Sequence, residues 1–328
     1  MINNEANFTA LDEPPSSLTN SDQQNFQSTD YYPLSSCYPK PLRVEVPSSK
    51  HLRTQLTFEL IPSLVFTGLS VVFHADVHQR SIPYQIIVDG NDNKLVVLDG
   101  IYNNDVAEET VGGRALIGFI AFLPISLFFL RFVIALYQGR EKKTIIVADA
   151  LAIASAFFYS SGTTMLTTNF LKCYIGYLRP NFYKLCGFDM ETLDCTASEA
   201  DVTQGRMSFP SGHSSLSFFS MTLVAYYVLG KLARSKCRKV KMFVTCVFPI
   251  GAASFVAASR VHDNWHHPAD VVAGSLIGFA CSSFFYHLWY PTLWSPYAGI
   301  PLVTLAKKDR RRPSLMIKRQ HFAIRGYI

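Results

Sequence analysis

Charge is scarce in this chain: Asp, Glu, Lys and Arg make up 16% of its 328 residues, while 49% are hydrophobic and 25 are Phe. With a mean hydropathy of +0.16, that shortage excludes an ordinary soluble composition and points to a membrane as solvent. Periodicity is missing from the first fifty residues, which are rich in Ser, Asn, Gln, Asp and Pro. Such a segment buries too little apolar surface to offset its ordering entropy, so residues 1–54 are expected to form a disordered tail. The start also lacks the basic stretch and short apolar core of a cleavable signal peptide, which leaves the first apolar span as the targeting signal. Acids are absent from the link that holds Lys231, Arg234, Lys236, Arg238, Lys239 and Lys241.

Long apolar runs are what the chain does have. A hydrocarbon core of about 30 Å takes roughly 20 residues at about 1.5 Å each. Six runs are read as spans, at about 56–74, 115–137, 145–171, 214–233, 240–258 and 270–291. The fold class predicted is an all-α integral membrane protein, a bundle of six transmembrane helices over residues 55–292 followed by a basic tail, 293–328. The second and sixth runs suit a lipid-facing position, with Tyr286, Trp289, Tyr290 and Trp294 as interface anchors. The third, rich in Ala, Ser, Thr and Gly, suits the bundle interior, where small and hydroxylated residues let helices approach and hydrogen-bond.

The distribution of charge orients the bundle. Lys40, Arg43, Lys50 and Arg53 precede the first span, Arg140, Lys142 and Lys143 fill the next basic link, and the C-terminal segment adds "KKDRRR". These segments alternate with acidic loops, so the positive-inside rule places both termini in the cytosol. The basic clusters are read as topology, with contact to anionic membrane lipids as a secondary role, and not as nucleic-acid binding. Cys186 and Cys195 then share an oxidising outer loop and are the candidate disulfide, whereas Cys37 and Cys237 are cytosolic and reduced. The single glycosylation sequon, at Asn7, is on the cytosolic side and is expected to be unused. Two β-like runs in "YQIIVDGNDNKLVVLDG" suggest a small hairpin over the site.

Three polar clusters fall on the extracytoplasmic side of this map: "KCYIGYLRP" (Lys172 to Pro180), "PSGH" (Pro210 to His213) and "SRVHDNWHHPAD" (Ser259 to Asp270). In the last, Pro268 fits the first turn of a helix, which puts His266 at the helix mouth and Asp270 four residues on. A carboxylate that accepts from one imidazole nitrogen fixes the tautomer and leaves the other as a nucleophile or base. The plainer reading is an N-terminal capping carboxylate. The spacing His262, His266, Asp270 also permits a metal site, but Lys172, Arg179 and Arg260 nearby suit an anion, and Ser211 and Gly212 offer a helix N-terminus to the same group.

Together, in this order and separated by spans, "K-x6-RP", "PSGH" and "SR-x5-H-x3-D" resemble the three signature motifs of the lipid phosphate phosphatases, the type 2 phosphatidic acid phosphatase family. The resemblance covers the six-span core and fills every motif position. It implies that His266 attacks phosphorus to form a phosphohistidine, that Asp270 orients it, and that His213 protonates the leaving alkoxide and then activates water. Lys172, Arg179, Ser211, Gly212 and Arg260 would hold the phosphoryl oxygens. It further implies hydrolysis of lipid phosphomonoesters such as phosphatidate, lysophosphatidate or sphingoid base phosphates, with no metal or other cofactor. The alternatives are a lipid phosphotransferase using the same intermediate and a non-catalytic lipid-binding relative. Self-association into a homo-oligomer is left open.

Overall fold

The computed structural model describes residues 30–31, 43–44, 48–72, 75–90, 94–139, 142–233 and 238–305. Most of the expected N-terminal tail, including Asn7 and Cys37, and Cys237 and the basic end beyond residue 305 lie outside the described residues.

Helices dominate. The first helical stretch comprises α1 (Ser49–Gln55), one π turn at Leu56–Leu60 and α2 (Ile61–Val71). After an outer loop come α3 (Gly113–Ile117), a second π turn and α4 (Leu123–Gln138), which run on as one rod. The long α5 (Lys143–Ile175) is followed by short α6 (Phe182–Cys186) and α7 (Glu199–Gly205). The bundle is completed by α8 (Gly212–Leu232), α9 (Arg238–His262) and α10 (Pro268–Trp289). Strands are confined to three antiparallel pairs: β1 (Asp30–Tyr31) with β2 (Arg43–Val44), β3 (Tyr84–Val88) with β4 (Lys94–Leu98), and β5 (Phe188–Asp189) with β6 (Asp194–Cys195). The β3–β4 pair is the hairpin expected from the sequence.

Among the described residues, five helices are long and apolar enough to cross a membrane, so the protein is a helical integral membrane protein. The expectation of six spans is met at five. The first run does fold as helix, but Thr54, Gln55, Thr57 and Glu59 interrupt its apolar character, and the Glu59 carboxylate accepts from Trp289 Nε1 at 2.7 Å. The other runs sort as their side chains dictate. The Leu- and Phe-rich span Gly113–Gln138 is 11% buried in its apolar window, whereas the Ala, Ser and Thr-rich α5 is 67% buried.

Small residues set the packing around α5, α8 and α10. Gly274 and Gly278 lie four apart on α10, and a Cβ added at them would come 2.4 Å from Ser211 O and 2.1 Å from Ser215 O. This close approach of backbones is how helices associate where lipid removes the hydrophobic drive between them. Hydroxyls cross the same seams, Thr168 Oγ1 to Ser215 Oγ at 3.0 Å and Thr67 Oγ1 to Phe158 O at 2.6 Å. An aromatic core fills the middle, with Phe157, Phe219, Tyr227, Tyr286 and Tyr290 buried together.

At one end of the bundle, the C-terminus of α5, the N-termini of α8 and α10 and the C-terminus of α9 meet. Two loops cover this end and share a small core of Leu178, Phe182, Tyr183 and Cys186 against Ile82, Leu98 and Tyr102. Cys186 is bonded to Cys195, Cα atoms 5.2 Å apart. Gly176 ends α5 at φ +60°, and a Cβ there would collide with His78 O; only glycine meets both demands. At the other end, residues beyond α10 turn back onto the bundle, where Ile300 and Leu305 pack on Ile145.

Candidate active site

Each motif is positioned by a helix end. Lys172 stands in the last turn of α5, and Arg179 follows in the loop, held by hydrogen bonds from Nε to Gln204 O at 2.8 Å and from Nη1 to Trp265 O at 3.2 Å. The Arg179 guanidinium also lies over the Trp265 ring, 5.0 Å from its centroid. Burial draws the Arg179 guanidinium down to about 10, which leaves it charged at neutral pH. Lys172 Nζ donates to Met207 O at 2.5 Å, which turns its charge toward the start of α8.

"PSGH" forms the entry to α8. Ser211 is the N-cap, with its Oγ accepting from Ser214 N at 3.4 Å, and its own N–H donates to Asp270 O at 2.9 Å. Its polar groups are therefore spent on joining the start of α8 to α10, and Ser211 is not in the wall of the cavity described below. Gly212 is: a Cβ there would meet only Lys172 Cε, at 3.8 Å. His213 follows in the first turn, and its Nε2 is buried without a hydrogen-bond partner.

The third motif folds as the proline predicted. α10 starts at Pro268 with His267 as N-cap, and Asp270 Oδ2 accepts from the His267 N–H at 2.9 Å. The same oxygen accepts from Ser208 Oγ at 2.5 Å and faces His266 Nδ1 at 3.6 Å. At that distance the imidazole contact is electrostatic and needs only a small closing movement to become a hydrogen bond. Asp270 thus both caps a helix and backs a histidine, so the plain and the functional readings of this carboxylate hold together. His266 is 3% exposed, and its burial holds the imidazole well below the usual histidine range despite Asp270, so the ring is neutral at neutral pH.

These side chains share one cavity of about 260 Å³. Lys172, Arg179, Gly212, His213, Arg260 and His266 all line it, with Glu109, Asn169 and Trp265 among the further residues of its wall. Residues up to 157 positions apart, Glu109 and His266, are thus gathered at one end of the bundle. Arg260 is fully buried, with Nη2 on Asp263 Oδ2 at 2.8 Å. Two imidazoles and three cationic side chains around one small space can bind an oxyanion and exchange protons with it.

Other expectations are redirected. His262, first in the spacing that suggested a metal site, is exposed, and among the described residues no group of three or more His, Cys, Asp or Glu is placed to hold a metal ion. The β3–β4 hairpin packs beside the site, and the segment that reaches over the cavity is the one after it, residues 105–111. Sequence reasoning missed Glu109, Asn169, Ser208 and Trp265. Asn169, one helical turn before Lys172, and Trp265, inside the third motif beside His266, carried local signals.

Residues 153–294, which hold all three motifs, match the PAP2 superfamily. The chain is similar to lipid phosphate phosphatase 1 of Arabidopsis thaliana, 36% identical over 170 residues, covering 45% of this chain and 52% of the relative. It is similar to diacylglycerol pyrophosphate phosphatase 1 of Saccharomyces cerevisiae, 31% identical over 179 residues, covering 51% and 61%. Phospholipid phosphatase 2 of Homo sapiens is 33% identical over 142 residues, covering 40% and 49%. The chain spans about half the length of the curated relatives it matches. No solved structure matches.

Proposed function

We propose that this chain, whose residues 153–294 belong to the PAP2 superfamily, is a membrane lipid phosphate phosphatase that hydrolyses phosphomonoesters through a phosphohistidine. The observation that carries the reading is the convergence of His213, His266, Lys172, Arg179 and Arg260 on one cavity. The names of the relatives place lipid phosphates and pyrophosphates among the substrates of such proteins; phosphatidate, lysophosphatidate and sphingoid base phosphates are the candidates here.

In this reading His266, neutral and backed at Nδ1 by Asp270, attacks phosphorus through Nε2. The bond from phosphorus to the lipid oxygen breaks, and that oxygen takes the Nε2 proton of His213, which enters the step as the imidazolium once the anionic substrate is bound and leaves it as the neutral ring. Water then enters, His213 takes one of its protons, and the water oxygen attacks the phosphohistidine; the P–N bond breaks, inorganic phosphate leaves, and both imidazoles are restored. Lys172, Arg179 and Arg260 neutralise charge on the equatorial oxygens, and the N-terminus of α8 at Gly212 adds backbone N–H groups. Because a lipid phosphate ester lies where headgroup meets hydrocarbon, a cavity at the helix ends suits it. The positive-inside pattern supports an extracytoplasmic site with both termini cytosolic, a topology in which the first helical stretch, α1 to α2, crosses as a sixth span.

The purified protein in detergent, given a micellar lipid phosphate, is expected to release inorganic phosphate in excess EDTA. His266→Ala should lower the rate by about a thousandfold or more while leaving the melting temperature in place. Full activity in that variant would remove the nucleophile. A new phosphoester in place of inorganic phosphate would identify a phosphotransferase, and a loss under EDTA that magnesium restores would add a metal to the site.

A further inference from the structure

The segment over the cavity brings in a carboxylate that the reaction above does not use. Glu109 lies in the cavity wall, with Oε1 3.2 Å from Arg260 Nη1. The chain is fastened on either side of it. Thr110 donates through N–H and Oγ1 to the two Asp263 oxygens at 2.8 and 2.7 Å, and Trp265 Nε1 donates to Ala107 O at 3.2 Å.

Arg260 therefore faces two carboxylates of unequal standing. Asp263 is 2% exposed and holds Nη2 while also taking both Thr110 donors. The Glu109 side chain is 32% exposed, and although it is within ion-pair distance, Nη1 has no aligned hydrogen bond. That nitrogen is attracted to Glu109 without being satisfied by it, so an acceptor placed inside the cavity makes the better partner. The charges agree with this. Lys172, Arg179 and Arg260 balance Glu109, Asp263 and Asp270 three to three. Asp263 and Asp270 are buried and bonded on several sides, so Glu109 is the carboxylate free to leave.

We propose that Glu109 is a specificity-determining residue: it acts as a resident counter-ion on Arg260 Nη1 that an incoming phosphoryl group must displace and that competes with product phosphate for the same nitrogen. The inference rests on reading the cavity as the phosphoryl site. A phosphomonoester, with close to two negative charges, displaces the carboxylate; a singly charged ester or a carboxylic acid does so poorly. The same competition helps inorganic phosphate to leave.

The test is anion binding by the purified full-length protein, measured as inhibition constants for orthovanadate and inorganic sulfate and as calorimetric titrations of both. In Glu109→Gln, and in Glu109→Asp with its shorter reach, both anions are expected to bind about five- to tenfold tighter, as follows from removing a half-exposed ionic competitor. Orthovanadate, mainly singly charged near neutral pH, is expected to gain more than the doubly charged sulfate. Asp105→Asn is the control, since that side chain is 88% exposed and pairs with Lys184 outside the cavity; its anion constants should match the wild type. Unchanged or weaker binding in both Glu109 variants would overturn the proposal. So would a collapse of kcat with unchanged anion binding, which would make Glu109 a proton-transfer group. Vanadate failing to bind even the wild type would instead take down the phosphoryl reading, and this inference with it.

Discussion

Two polar clusters stand at opposite ends of the same helices, and they are built from similar side chains. At one end, Lys172 of α5 and His213 of α8 line the cavity. At the other, Asp149 of α5 and Lys231 of α8 form an ion pair at 2.6 Å; along α5 the two clusters are about 35 Å apart at about 1.5 Å per residue. The Asp149 carboxylate also accepts from Tyr227 at 2.8 Å and Tyr290 at 3.0 Å, and Lys231 donates to Gly299 O at 2.7 Å. The ammonium lies over both tyrosine rings.

The difference is saturation. In the Asp149 cluster each charge has its partners, and the cavity of about 350 Å³ that Asp149 and Tyr227 border is otherwise walled mainly by Phe, Ile and Ala, so the cluster ties α5, α8, α10 and the segment after α10 together. Around the cavity His213 Nε2, His266 Nδ1, Arg260 Nη1 and Asp270 Oδ1 lack aligned partners though buried. Buried groups left so are costly, and their concentration at one small space is what a site prepared for a charged ligand requires. Intramembrane ionisable residues are functional candidates as a class; here the ionisable groups at the cavity carry unmet hydrogen bonds, whereas Asp149 and Lys231 have theirs met.

If the comparison is sound, damage to the two ends should look different. The largest effect on stability is expected at the saturated cluster. Lys231→Met strands a buried carboxylate and should cost about 3–5 kcal/mol, read as a fall in the detergent melting temperature, with turnover per folded molecule retained. Replacing both partners, Asp149→Asn with Lys231→Met, should recover part of the loss. At the cavity the pattern reverses. Arg179→Lys keeps the charge but loses the planar fork that engages Gln204 O and Trp265 O and stacks on Trp265, so kcat/KM should fall by about ten- to a hundredfold with little change in melting. Equal losses of stability at both ends would erase the distinction.

A smaller effect is expected from pH. Burial depresses the His266 imidazole in the folded state, so below its unfolded value of about 6.5 the unfolded chain binds more protons than the folded one. Stability contributed by the neutral ring is present above that value and declines as pH falls below it. The melting temperature should drop from about pH 6.5 downward, and His266→Gln should flatten the drop. A profile equally steep in that variant would assign it to other groups.

Much of this was legible in the chain because it is local. Pro268 announced the start of α10 and so the His266–Asp270 relation, and the small residues of α5 announced its burial. Contacts that depend on the closing of loops left no trace. Thr110 meets Asp263 across 153 positions and Ser208 meets Asp270 across 62, with no shared period or motif to link them. Glu109 read as one acid among several in an outer loop. The weakness of the first span was visible in Gln55 and Glu59, but its length outweighed them. The run "AGIPLVTL" after α10, read as part of a basic tail, carried in Ile300 and Leu305 the apolar signal for its return to the bundle.

The central claim is that His266 and His213 serve one phosphoryl group in two steps. The direct measurement is rapid acid-free quenching of the His213→Ala variant with a phosphate-labelled lipid, followed by peptide mapping. The label is expected on the peptide containing His266, lost in acid and retained in alkali, and absent when His266 is also replaced. Label elsewhere, or label that survives replacement of His266, would contradict the account.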